Sequence, residues 1–134
     1  MTIRTMTFAV IAVLLASVPV PAHHAFSAEF DANQPIQLRG VVARVELINP
    51  HSWIHIDVTG DDGTVTRWMI EGGTPNTLFR RGINRDSLPV GEVILVDGYR
   101  SLDGSNKANG RDVTFPDGRK IFLSGSSAGE QPEQ

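Results

Sequence analysis

Apolar positions along this chain follow three patterns. The first is an unbroken run, Phe8 to Ala16 (FAVIAVLLA), preceded by Arg4 and followed by Ser17 to Ala22 (SVPVPA). A positive start, an apolar stretch too short to span a bilayer comfortably, and small residues at Val20 and Ala22 are the parts of a secretory leader cut after Ala22. The second pattern is alternation. Gln34 to Glu46 keeps Ile36, Leu38, Val41 or Val42, and Val45 in strand phase, with a slip near Gly40 that predicts a bulge or tight bend. Ser52 to Val58 alternates most cleanly, with Ile54, Ile56 and Val58 on one side and Trp53, His55 and Asp57 on the other. Gly60 to Gly63 (GDDG) then reads as a hairpin turn and Thr64 to Glu71 as the returning strand. The third pattern is the short apolar run between turn signals. Val93 to Gly98 is one such strand, and Asp112 to Leu123 holds one or two strand pieces around Pro-Asp-Gly.

One helix is expected among these strands. Thr74 is a good N-cap, Pro75 suits the first helical position, and Gly82 stops the turns that Asn76 to Arg81 begin. Ser101 to Arg111 reads as a polar loop, and the tail from Ser124 as disordered. Before the first strand, His23 to Asn33 is polar but carries Phe26 and Phe30, which predicts that this segment docks on the domain. The order strand, strand, strand, short helix, strand, strand predicts a mostly β fold, a small five-stranded OB-like barrel at residues 23–123 with its helix between strands three and four. An open β-sandwich is the alternative.

Composition narrows the chemistry. There is no cysteine, so disulfides, thiolate metal sites and Cys nucleophiles are excluded. The core must come from apolar burial, for which roughly 110 residues suffice. The formal charge is −3, and removing a leader with Arg4 and no acid makes it −4. Interspersed charges of this balance argue against a nucleic-acid partner. No second long apolar run predicts membrane insertion after cleavage. No nucleophile elbow, P-loop or dinucleotide fingerprint occurs.

The candidate chemistry lies in four histidines at two places. Cleavage after Ala22 gives His23 a free α-amine. That amine and its imidazole can chelate one ion, and His24 adds a third nitrogen. Nitrogen-rich donor sets favour Cu(II) over the other divalent ions. His51 and His55 have H-x-x-x-H spacing on a strand, where about 13 Å separates them at roughly 3.3 Å per residue. One ion cannot bridge both, so one of them is expected to meet the terminal pair across space. Asp57 is the same-face neighbour expected to orient His55. Trp53, on the polar face of its strand, is the candidate platform for a small ligand, whereas Trp68 shares a phase with Ile70 and reads as core.

The chain resembles a family of small exported proteins of Gram-negative bacteria known only as a domain of unknown function. The resemblance rests on His23-His24-x-Phe26-x-x-Glu29-Phe30-Asp31, on Asn49-Pro50-His51, on Trp68 followed by Glu71-Gly-Gly-x-Pro75, and on Leu88-Pro-x-Gly91. It implies a periplasmic setting and an OB-like barrel, and it carries no established activity. Together these readings predict a periplasmic copper-binding protein with His23, His24 and one of His51 or His55 as ligands, acting in binding or delivery rather than turnover. The alternative is a metal-free module that binds envelope proteins or a small ligand through Trp53 and Asp57.

Overall fold

The computed structural model describes residues 23–124. The expected leader (residues 1–22), the tail beyond Ser124 and the side chains of His23, His24 and Ala25 lie outside the described residues. A short helix α1 (His23–Glu29) runs directly into a long strand β1 (Phe30–Glu46). β2 (Trp53–Thr59) and β3 (Val65–Glu71) follow as a hairpin. Helix α2 (Pro75–Arg80) and a 3-10 turn (Arg85–Ser87) precede β4 (Val93–Ser101), β5 (Lys107–Thr114) and β6 (Lys120–Phe122).

All six strands lie in one sheet, in the order β3-β2-β1-β4-β5-β6, with antiparallel neighbours. A parallel pairing of Met69–Glu71 with Lys107–Asn109 also joins β3 to β5. The strand count is six, not five. Pairing starts again at Lys107, inside the segment Ser101 to Arg111 expected to be a polar loop. The chain then reverses at Pro116-Asp117-Gly118, where Gly118 N–H donates to Phe115 O and Phe115 N–H to Arg119 O. That reversal leaves three residues to extend the sheet beyond β5.

The core follows from the alternation. Ile54 and Ile56 of β2, Ile70 and Trp68 of β3, Val42 and Leu38 of β1, and Ile94 and Val96 of β4 turn inward and are buried. Each large aliphatic side chain so buried contributes about 1.5–3 kcal/mol of transfer free energy. Arg100 lies over the Trp68 ring at 5.5 Å. α2 forms as its signals predict: Thr74 caps it by accepting from Thr77 N–H, Pro75 opens it, and Leu78 is buried. None of the helices among the described residues is long and apolar enough to cross a membrane.

The bulge in β1 is displaced from its expected place. Register against β2 shifts between Val42 and Arg44, not at Gly40. Gly40 has a different duty: a Cβ there would sit 2.9 Å from Asp57 O and 3.2 Å from Ile56. The glycine lets two strand backbones approach closely, which also weakens the apolar phase at that point.

Candidate functional site: two histidine–carboxylate pairs

Because Ile54 and Ile56 point inward, the odd positions of β2 stand on the outer face. Cross-strand partners share that face. Trp53 lies opposite Glu46 of β1 and Glu71 of β3. His55 lies opposite Arg44 and Met69, and Asp57 opposite Val41 and Arg67. The face is therefore a strip of imidazole, indole, carboxylate and guanidinium groups, with Val41 and Met69 beside them.

The two histidines have separate partners. His51, just before β2 and after a cis Asn49–Pro50 peptide, places Nδ1 at 2.9 Å from Glu71 Oε1. Its side chain is 46% exposed, whereas that of Glu71 is 10% exposed. A carboxylate can only accept, so the imidazole donates from Nδ1 and its Nε2 is left as the basic nitrogen. His55 is the reverse case. Its Nε2 donates to Glu46 Oε2 at 2.7 Å, and its side chain is 13% exposed. Glu46 also accepts from Arg44. The hydrogen bond from His55, ahead of the charge of Arg44, holds the Glu46 carboxyl below its ordinary 4.5.

Glu71 is shifted the other way. Burial pushes its carboxyl above 4.5, the charge of Glu29 adds to that, and His51 and Lys107 oppose it. Asp57, expected beside His55, is instead held by Arg67, which donates from both Nε and Nη2 at 2.7 and 2.9 Å. That bidentate pair holds Asp57 below its ordinary 3.8.

His51 and His55 are thus not brought together. Among the described residues, no three His, Asp or Glu side chains are grouped to hold a metal ion. Trp53 stands half-buried between the two histidines, and Trp68 is in the core. Glu46 and Glu71, the groups that orient the imidazoles, were not legible from spacing. Each is 9 or more positions from its histidine on another strand. The only sequence trace of Glu71 is its place before Gly72-Gly73 at the end of an alternating run.

The class defined so far is a small, mostly β protein with histidine–carboxylate pairs on one outer sheet face. The chain belongs to a family of unknown function, DUF6152, whose family model matches residues 11–110. No curated protein matches it.

Proposed function

We propose that this is an exported protein of the Gram-negative periplasm that binds a transition metal, with copper the favoured ion, through His23, His24 and His51. The observation that carries the reading is the His51–Glu71 pair. Histidines that ligate metals commonly donate their second ring N–H to a carboxylate, which fixes the tautomer and raises the basicity of the ligating nitrogen. His51 has that arrangement, with its Nδ1 tied to a buried carboxylate and its ring exposed. His55 has a similar tie but is largely covered. Of the two histidines expected as the body ligand, His51 is the better placed. The terminal pair supplies the remaining nitrogens if the leader is cut after Ala22, and such a nitrogen set suits Cu(II).

The architecture that fits this role is an OB-like barrel. Its support is the pairing of β1 with β2, β2 with β3, β3 with β5, β5 with β4 and β4 with β1. In that reading β6 is an added outer strand and α2 is the helix between strands three and four.

The test is a Cu(II) titration of the cleaved protein, followed by tryptophan emission. Trp53 is two residues from His51, about 6.6 Å along an extended chain, near enough for a bound Cu(II) to quench it. His51→Ala is expected to lower the affinity by about tenfold or more and to reduce the quenching. His55→Ala is expected to leave both close to the parent. Parental affinity in the His51→Ala, His55→Ala double variant would mean that no body histidine is a ligand.

A metal-free ligand face is the second reading. It is favoured by the outward, half-exposed Trp53 framed by Glu46 and Glu71. An oligosaccharide or envelope peptide that shifts tryptophan emission in the parent but not in Trp53→Ala would support it.

A further inference from the structure

Strand register lays out the outer face of β1, β2 and β3. Trp53 stands between Glu46 and Glu71, and one row along His55 lies beside Arg44. Asp57 and Arg67 occupy the next row. At roughly 4.8 Å per strand and 3.3 Å per residue, these rows cover about 10 by 13 Å.

Charge on this strip is settled internally. Glu46 accepts from Arg44 and His55. Asp57 accepts twice from Arg67, and Glu71 accepts from His51. A cation arriving here meets Arg44 and Arg67, and an anion meets Glu46, Asp57 and Glu71, so neither gains much by charge. A purely apolar ligand would strip water from these ions and offer nothing in return. An extended peptide cannot join as a strand, because β1 and β3 occupy both edges of β2.

What stays uncommitted is neutral hydrogen bonding around one indole. Arg44 is 65% exposed and gives Glu46 only part of its five-donor fork. It lies diagonally across from the half-buried Trp53, a separation that long side chains span. His51 is exposed, and with Nδ1 tied to Glu71 its Nε2 accepts. A hydroxyl both donates and accepts, and a pyranose ring carries hydroxyls around an apolar C–H face. We propose that this strip binds a neutral oligosaccharide, with one sugar ring stacked on Trp53 and its hydroxyls bonded to Arg44 and His51. The inference rests on the second reading above, the Trp53 ligand face, and needs no metal. Glu46 and Glu71 hold Arg44 and His51 in place and are positioning residues.

The experiment titrates cleaved parent, Trp53→Ala, Trp53→Phe and Arg44→Ala proteins, with a chelator present. The probes are maltotetraose, cellotetraose and chitotetraose, with tri-lysine alongside, and binding is followed by backbone amide shifts in NMR. At least one of the sugars is expected to bind the parent with a Kd on the order of 0.1 mM, as suits an open face. The shifts should fall on β1, β2 and β3 around Trp53 and leave β6 unmoved. Trp53→Ala is expected to lose about tenfold or more in affinity, and Trp53→Phe to recover most of it. Arg44→Ala is expected to lose about fivefold. Affinity for an uncharged ligand should stay the same between about 0.05 and 0.5 M NaCl. Parental sugar affinity in Trp53→Ala would overturn the proposal. Tri-lysine binding that depends on Trp53 and weakens with salt, with no response to any of the sugars, would overturn the sugar assignment and leave Trp53 as a ligand face. No Trp53-dependent response to either class of probe would overturn both. If Trp53→Ala does not fold, Trp53→Leu keeps apolar bulk without the aromatic face, and the same outcomes decide.

Discussion

A carboxylate taken out of water needs compensation, and Glu71 has only part of it. His51 and Lys107 favour its charge, while burial and the charge of Glu29 oppose it more strongly. Retaining an ionisable group there costs stability, and an amide in its place avoids that cost. Glu71→Gln is accordingly expected to raise stability at neutral pH by on the order of 1 kcal/mol, read in urea unfolding. The same change is expected to weaken Cu(II) binding about tenfold or more, because a neutral amide orients His51 but no longer raises its basicity. Loss of stability together with parental metal binding would reverse the roles given to this residue.

The acids also set a pH dependence whose sign can be worked out. Glu71 is raised from 4.5, so its contribution is fully present below 4.5 and declines as pH climbs through its folded value. Glu46 and Asp57 are lowered from 4.5 and 3.8, by His55 and Arg67 respectively. Asp103 is held far below 3.8 by hydrogen bonds from Ser101 and Ser105. These three contribute above their ordinary values and lose that contribution as pH falls through their lower folded ones. Stability is therefore expected to peak in weakly acidic solution, just above the carboxylate range. In Glu71→Gln the decline on the alkaline side of that peak should flatten. Melting curves of both proteins at a series of pH values check this directly.

At the scale of elements, close backbone approach decides more than helix or strand preference. Gly98 lies at a register shift between β4 and β5, and a Cβ there would come within 2.1 Å of Asn109 O. No rotamer relieves a clash with backbone, so the strands themselves must move. Gly98→Ala is expected to destabilise by about 2–3 kcal/mol, visible as a lower thermal midpoint. A midpoint within a degree of the parent would show that the two strands separate freely at this point.

The elements that the sequence revealed are those with local causes. The alternation of Ile54, Ile56 and Val58 marked β2 and its two faces. GDDG marked the turn to β3, and Thr74-Pro75 marked α2. Elements with non-local causes were harder to read. β6 is the second of the one or two strand pieces expected around Pro-Asp-Gly, but its separate place beyond β5, which makes the count six, comes from pairing that nothing local announces. The loop expected through Arg111 is strand from Lys107, because Met69–Glu71 of β3 pair with that segment. α1 has no apolar period; its place is set by Phe26 meeting a tyrosine on β4. The site follows the same division. Spacing pointed to His51, His55 and Trp53 as candidates and set the two histidines too far apart to share one ion; in the structure they have separate partners, Glu71 and Glu46. It missed Glu46 and Glu71, because a carboxylate's partner across strands leaves no mark in either segment.

At the scale of the whole molecule, the proposal joins three features. These are a proposed leader whose removal would create a terminal amine at His23, a helix that Phe26 docks on Tyr99, and an exposed His51 oriented by Glu71. Each serves another purpose if taken alone. In the proposed reading the protein is a carrier whose metal site would be completed only after export, since the amine does not exist in the uncleaved chain. Ligand binding to the native state also stabilises it by mass action. Cu(II) at about 100 times its Kd is expected to add about 2.7 kcal/mol, and Zn(II) at that same concentration less.

The most direct measurement is intact mass with metal stoichiometry on protein purified from the periplasm of a Gram-negative host. A mass that begins at His23, together with one tightly held Cu(II) per chain, is the expected result. A chain that begins elsewhere, or that holds no copper at micromolar concentration, would contradict the metal reading and return attention to the Trp53 face.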